Sequence, residues 1–492
     1  MRQVRSDRSH AGAPPASTHE RAIVIGGSMV GLAVARALSE HFREVVVIDR
    51  DRFPREVPDH RKGVPQSFHI HNLTRRGQRE LEELFPGFVD EAVRLGAMQI
   101  DHQLDVAAFV DHGWETQFDS GRIALSATRI LLEFAERQRF NALVKNARVL
   151  ENTRVEDLIT ETRGDGIRVV GVVTDDPELR EIRADLVVDC AGRSTRWKSW
   201  FEQRNVPLPE ETVVDSRGGY SSRFYRPRDP SQFPWKAMVI GAVYPHQPQW
   251  GVIVPLERND WVVTLGGFNE QFPPADEAGF NEFARNLPTP LYAQALELAD
   301  PLTPVRTFRK LEMRWNHFER YHNPIKRFLA IGDSAWAYNP LYGQGMSIGV
   351  TCARILRDLL RQSAALDDLP TRYYPPARKF AWQPWEATAT MDMRWPKATG
   401  KRPWHARLTI PISTLILEAG HYDRAVALDL LDGIHLLKQP ADMLRPRFLG
   451  GVALYGLRKL TNTLPPPTGY QPLARPSTKS ASPKLEAPTE AL

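Results

Sequence analysis

Apolar residues along the chain fall into two recurring patterns, short unbroken runs and longer stretches at helical spacing. Ala22-Ile23-Val24-Ile25 and Val45-Val46-Val47-Ile48 are wholly apolar, as strands buried on both faces of a parallel sheet are. Between them, residues 29–39 place apolar side chains at helical intervals, so ordered chain begins near Arg21 with a βαβ unit. An amphipathic stretch over 127–143 predicts another helix, and 166–173 and 186–188 are strand candidates leading to Gly192. A third unbroken run, Phe328-Leu329-Ala330-Ile331, ends in Gly332-Asp333 and passes through a loop into a long helix predicted over 344–362.

The middle of the chain follows another rule. Segments at 219–225, 237–244, 250–255 and 261–268 are strand-like and joined by turns containing Pro and Asn, which predicts a mainly antiparallel sheet. Short runs over 105–125 alternate in polarity, and helices are expected near 276–286 and 291–298. Beyond Pro370 the pattern is helical and interrupted; from Leu464 onward Pro, Ser, Thr and Lys mark a disordered tail. Residues 1–20 carry Arg2, Arg5 and Arg8 but no apolar run, so they predict a disordered leader rather than a secretory signal.

Composition excludes several classes. With 64 Lys and Arg against 59 Asp and Glu in 492 residues, the surplus is too small to indicate a nucleic-acid partner. Cys190 and Cys352 are the only cysteines, so neither a disulfide framework nor a Cys-rich zinc site is expected, and a reducing cytoplasm is the expected compartment. No run approaches the roughly 18 consecutive apolar residues of a membrane span.

The chemistry concentrates at two glycine-rich loops. Gly26-Gly27-Ser28-Met29-Val30-Gly31 lies between a predicted strand and helix, where a dinucleotide pyrophosphate needs a tight turn, close backbone approach and a free helix N-terminus. Ser28 stands at the middle glycine position of that fingerprint. Asp49 closes the second strand, 18 positions after Gly31, where a carboxylate would accept ribose hydroxyls. In the second half, Asp333 follows a buried strand, and Asn339-Pro340-Leu341-Tyr342-Gly343-Gln344-Gly345-Met346-Ser347 leads into a helix. Gly343 and Gly345 let backbone lie against a flat ring, and the helix N-terminus stabilises negative charge such as reduced flavin carries. Together the two loops predict FAD.

With these residues in place, the chain resembles the single-component FAD-dependent monooxygenase superfamily, which shares the para-hydroxybenzoate hydroxylase fold. The resemblance spans about residues 20–360. Gly26 to Gly31 resembles its first fingerprint, Gly332-Asp333 its Gly-Asp motif, and Asp189-Cys190-Ala191-Gly192-Arg193-Ser194 its middle motif, with Ala191 where that motif usually has Asp. Val47 to Pro54, including Arg50, and Arg61 to Gln66 with His69, His71 and Leu81 to Gly87 are similar to bacterial polyether-type polyene epoxidases, as are Asp215-Ser216, Tyr220 and Ser222-Arg223. The resemblance implies that Arg129 meets the flavin, with a solvated helix-start arginine as the alternative; Arg61 reads as a cation near the pyrophosphate or as a surface charge.

The implied fold class is α/β. A Rossmann-like FAD-binding domain, discontinuous over 21–104, 126–206 and 324–369, is interleaved with a mainly antiparallel substrate-binding sheet domain over 105–125 and 207–323. A helical C-terminal region follows over 370–463. The implied function is insertion of one oxygen atom from O2 into an apolar organic substrate, free or carrier-bound, through a flavin C4a-hydroperoxide, with alkene epoxidation in bacterial secondary metabolism the leading reading. Aromatic hydroxylation, halogenation, isoprenoid double-bond reduction and a non-catalytic flavin-binding role are the alternatives. The Trp-x-Trp-x-Ile-Pro signature of flavin halogenases is missing. NADPH or NADH is the expected electron source, directly or through a separate flavin reductase, and no residue is assigned as a catalytic base.

Three features carry competing readings. His69 and His71 are spaced for one side of a strand, but further metal ligands at workable spacing are missing, so no metal is assigned. Tyr220, Phe224, Tyr225, Trp235, Trp250 and Trp261 line a substrate pocket or fill sheet core. Phe448 to Tyr455, followed by Arg458-Lys459, has the pattern of a segment that makes peripheral membrane contact, docks a carrier protein or packs on its own domain.

Overall fold

The computed structural model describes residues 19–464 except 111–112, 164–165, 310, 323–324, 402–405 and 444. Most of the expected leader (1–18) and nearly all of the expected tail (465–492) lie outside the described residues.

A five-stranded sheet carries the unbroken apolar runs. Its spatial order is Phe328–Ala330, Leu186–Asp189, His19–Ile25, Phe42–Ile48, Ala147–Leu150, and every neighbouring pair is parallel. The runs are apolar at every position because both faces are covered: residues 22–24, Val45, Val47 and 186–188 are fully buried. Helix Met29–Leu38 packs against helix Gly345–Gln362, which also packs against Arg75–Leu84. Parallel strands end on one side of their sheet, so the loops after Ile25, Asp189 and Ala330 open together.

An antiparallel unit built from Val155–Arg163, Gly166–Thr174 and Glu181–Arg183 packs on this sheet. Val155–Arg163 is a strand that hydrophobic periodicity does not reveal. Two register shifts, between Val155 and Asp157 and between Ile159 and Thr160, break the period-two alternation.

The second large sheet has eight strands. Gly219–Pro227, Trp261–Gly267, Gln249–Pro255 and Ala237–Ile240 are antiparallel neighbours, and Val106–Val110 joins in parallel beside Ala237–Ile240. The strand expected over 237–244 stops at Ile240; Gly241 follows, and a single pairing of Val243 with Gln247 closes the turn. Side chains alternate between faces. Tyr225, Ile253, Val263 and Leu265 pack with Phe280, Phe283 and Tyr292 of helices Glu277–Arg285 and Leu291–Glu297. Tyr220 and Trp250 cluster instead with Phe268, Leu311 and Trp395, against which Leu341 packs, so this face looks toward the glycine-rich loop 339–345.

The interruption expected beyond Pro370 gives way to one helix, Leu369–Asp392, that runs on through Pro375, Pro376 and Pro384. Helices Ala406–Gly420, Arg424–Ile434 and Pro446–Leu460 then form a small cluster around Ala419, Val426, Phe448 and Tyr455. Phe448 and Tyr455 are therefore packed inward, while Leu449 and Leu454 face outward. Among the described residues no helix is long and apolar enough to cross a membrane.

Candidate active site

The first loop explains its glycines by distance. Gly26 has φ +96°, and a Cβ there would lie 2.7 Å from the Cys190 carbonyl oxygen. A Cβ on Gly31 would lie 1.8 Å from the Gly26 carbonyl oxygen, so the helix backbone rests directly on the turn. Ser28 is the N-cap of the helix but does not cap it. Its hydroxyl donates to Glu133 Oε2 (2.7 Å) and accepts from Arg129 Nη2 (2.7 Å), which leaves the first helical amides for an anion. Asp49 turns back onto the loop: Oδ2 accepts from the Gly27 amide (2.7 Å) and Oδ1 from the Asp51 amide (2.9 Å). Burial raises its pKa, an effect that nearby Arg61 opposes.

Beneath this loop lies a buried charge cluster. Arg61 donates to Asp51 Oδ2 (3.1 Å) and Glu133 Oε1 (2.5 Å), so it is matched by carboxylates rather than standing as a lone cation. Arg137 also donates to Glu133 Oε1 (2.9 Å) and stacks over Phe53, 3.6 Å from the ring centroid. Burial disfavours ionised Glu133, but Arg61, Arg129 and Arg137 outweigh burial and hold its pKa at about 2. Arg50 is exposed and lines the same cleft as Gly26, Ser28, Asp49 and Arg61, a space of about 370 Å³ that extends to Arg154 and Trp200.

The distant loop meets this assembly. Arg129 reaches Ser28 with one guanidinium nitrogen and Met346 Sδ with the other, so a single side chain joins residues 28 and 346. A Cβ on Gly332 would touch Val30 Cγ1 at 3.2 Å, and one on Gly345 would sit 3.6 Å from Asp333 Oδ1. Asp333 also pairs with Arg193 of the middle motif (3.4 Å). Gly343 takes φ +62° against Asn72. The structure thus brings Gly26, Gly27, Ser28, Gly31, Asp49, Arg61, Arg129 and Met346 into one linked group, with Asp333, Gly343 and Gly345 beside it and Arg50 at the cleft surface.

No family model matches the chain. Protein Rv3254 of Mycobacterium tuberculosis (strain ATCC 25618 / H37Rv) is 31% identical over 401 residues, which covers 78% of this chain and 82% of that protein. The chain belongs to the family of Protein Rv3254. Among solved structures, p-nitrophenol 4-monooxygenase PnpA from Pseudomonas putida DLL-E4 matches with a TM-score of 0.61 at 19% identity, over 86% of this chain and 99% of that one. Flavin-dependent brominase Bmp2 matches with a TM-score of 0.58 at 12% identity, over 90% and 99%. The chain therefore shares the mixed α/β fold of these two solved enzymes, with a helical C-terminal region.

Four groups in this site are not among the predicted cofactor-binding residues. Glu133 has a sequence signal, since Arg129, Glu133 and Arg137 recur at four-residue spacing on one helix face. Asp189 is fully buried and ties two loops together: Oδ1 accepts from Ala191 N (2.9 Å) and Ser334 Oγ (2.8 Å), and Oδ2 from Thr195 Oγ1 (2.6 Å). Asp392 ends the long helix and clamps loop 339–343 at both ends, accepting from Asn339 Nδ2 (2.8 Å) and the Tyr342 hydroxyl (2.9 Å). Its pKa is pushed up to about 7 by burial, which those two donors only partly offset. His69 Nδ1 lies 2.9 Å from Ser222 Oγ, which lies 2.8 Å from Thr264 Oγ1, so a histidine from the first domain is seated on the second sheet. Asp392 and the His69 contacts depend on residues 50 to 153 positions apart and leave no local trace.

Proposed function

We propose that this protein is an FAD-dependent monooxygenase that places one atom of O2 in an apolar organic substrate and releases the other as water, with alkene epoxidation as the reaction. NADPH or NADH would supply the two electrons, directly or through a flavin reductase. The observation that carries the reading is the Ser28–Arg129–Met346 bridge, which ties together two loops 318 residues apart, the first lining the cleft and the second packed through Leu341 on the aromatic sheet face.

The residues present suit FAD. The turn at Gly26 and Gly31 has no room for a side chain, and the uncapped amides behind Ser28 suit a pyrophosphate. Asp333 would suit sugar hydroxyls, and the start of helix Gly345–Gln362 the electron-rich edge of a reduced ring. Bound flavin supplies the oxygen activation. What the chain adds is orientation and dryness: Tyr220, Trp250, Phe268, Leu311 and Trp395 give a buried apolar wall beside Leu341, where water is excluded and an alkene is held near the ring. Epoxidation asks for no base, which agrees with Asp392 and Glu133 both being tied down by hydrogen bonds.

The experiment is turnover of purified, FAD-loaded protein with NADPH or NADH, with and without a flavin reductase, on paired alkene and phenol substrates. Epoxide formed only with O2 supports the proposal. Phenol hydroxylation without epoxide would replace it with an aromatic hydroxylase, chloride- or bromide-dependent product with a halogenase, and anaerobic turnover with a double-bond reductase.

A further inference from the structure

Among its buried side chains the wall of the sheet facing loop 339–345 is apolar except for one polar array, with Arg306 exposed beside it across from Ser222. His69, Ser222 and Thr264 are buried, Ser222 and Thr264 completely. The His69 ring meets Tyr220 edge-on at 5.0 Å and Phe308 at 5.8 Å, and Tyr220 stacks on Phe308 at 5.3 Å. The segment that carries His69 runs straight to the flavin loop: His71 bonds back to the His69 carbonyl, and Asn72 packs against Gly343.

Counting protons settles which way this array points. Among the described residues Thr264 Oγ1 has Ser222 as its one hydrogen-bond partner, so its proton is satisfied only if Thr264 donates to Ser222. Ser222 then donates to His69 Nδ1, and the ring proton sits on Nε2. Burial and the neighbouring Arg306 lower the His69 pKa to about 4, so the ring stays neutral and Nε2 remains a donor. No described residue accepts from it. On the same face, Trp250 Nε1 is buried without an acceptor, its Cε2 edge lying over Gly266, where a Cβ would come within 2.2 Å. An unanswered buried donor costs about 1–3 kcal/mol, so Trp250 Nε1 is a feature that a bound acceptor would relieve, and His69 Nε2 is a second donor on this wall with no protein acceptor among the described residues.

We propose that His69, set as a donor by Ser222 and Thr264, is the polar anchor of the substrate site, and that the substrate is an apolar molecule bearing a neutral carbonyl-type oxygen. This rests on the monooxygenase reading and adds the substrate class. A carboxylate is disfavoured, because the wall offers it no buried cation. His69 is a positioning residue here: it fixes where the substrate lies and removes no proton from it.

The test uses FAD-loaded protein and two probes that differ by the carbonyl oxygen, 2-acetylnaphthalene and 2-ethylnaphthalene, titrated against the visible flavin bands and tryptophan emission. The ketone is expected to bind about tenfold more tightly, roughly 1.4 kcal/mol. His69→Phe should erase that preference with ethylnaphthalene affinity retained, and His69→Gln, which keeps an N–H donor, should restore most of it. Ser222→Ala, which leaves the His69 ring in place but frees its tautomer, should reduce the preference several-fold and carries the test if His69→Phe does not fold. Equal binding of the two probes, binding of neither, or a preference unchanged in both His69→Phe and Ser222→Ala would overturn the inference. Flavin bands and O2-dependent product with no ketone preference defeat this inference alone; a colourless protein that still prefers the ketone defeats the monooxygenase reading alone.

Discussion

Glu133 and Asp392 are both buried carboxylates, one beside each glycine-rich loop, and they hold opposite charge states. Three guanidinium groups surround Glu133 and keep it ionised to about pH 2, whereas Asp392 has only an amide and a phenol as partners and holds its proton to about pH 7. Equal burial with unequal company gives opposite results. Under the first loop the protein builds a permanent charge lattice; under the second it builds a nearly neutral clamp that can change charge near physiological pH.

The strongest way to break the contrast is to remove the anion from the lattice. Glu133→Ala strands Arg61, Arg129 and Arg137 without their shared partner and should cost about 3–5 kcal/mol of stability, read as a fall in urea midpoint. Next is the bridge itself. Arg129→Ala should weaken FAD binding by ten- to a hundredfold, about 1.5–3 kcal/mol for charge-assisted bonds, measured by equilibrium dialysis of FAD.

The two carboxylates also predict opposite pH dependences. The folded pKa of Glu133 is depressed, so its contribution is complete above its ordinary value near 4.5 and is lost as pH falls toward 2. That of Asp392 is raised, so the native state keeps a proton that the unfolded chain releases; its contribution is complete below about 3.8 and declines as pH rises to about 7. Asp392→Asn should therefore flatten the loss of stability between pH 5 and 8 by on the order of 2 kcal/mol. The smallest effect belongs to Tyr342→Phe, which removes one of the two clamp donors and should cost about 1 kcal/mol, read by thermal melting at pH 6.

What the sequence discloses follows the same division. The positions of Gly26, Gly31, Asp49 and Asp333 are legible because they are set by neighbours a few residues away: a strand end, a turn and a helix start. The parallel strands are legible for a related reason, since burial on both faces leaves no polar position to confuse the pattern. Arg129, Glu133 and Arg137 are half legible, because helix spacing aligns them, yet only the fold brings Arg61 to Glu133. Tyr220 and Trp250 separate from Tyr225, Trp235 and Trp261 only once register assigns each to a face. Asp392 and the seating of His69 on Ser222 are long-range pairings between polar residues of ordinary local context, and no periodicity encodes them.

We propose that one FAD is held jointly by residues 26–31 and 332–347. Its most direct test is the FAD content of purified, FAD-reconstituted protein, measured from the flavin absorption released on denaturation, for the natural chain, Gly31→Ala and Asp333→Ala. One FAD per chain is expected, with sharply reduced loading in both variants while circular dichroism shows them folded. A natural chain that takes up no FAD, or full loading in Asp333→Ala, would contradict it.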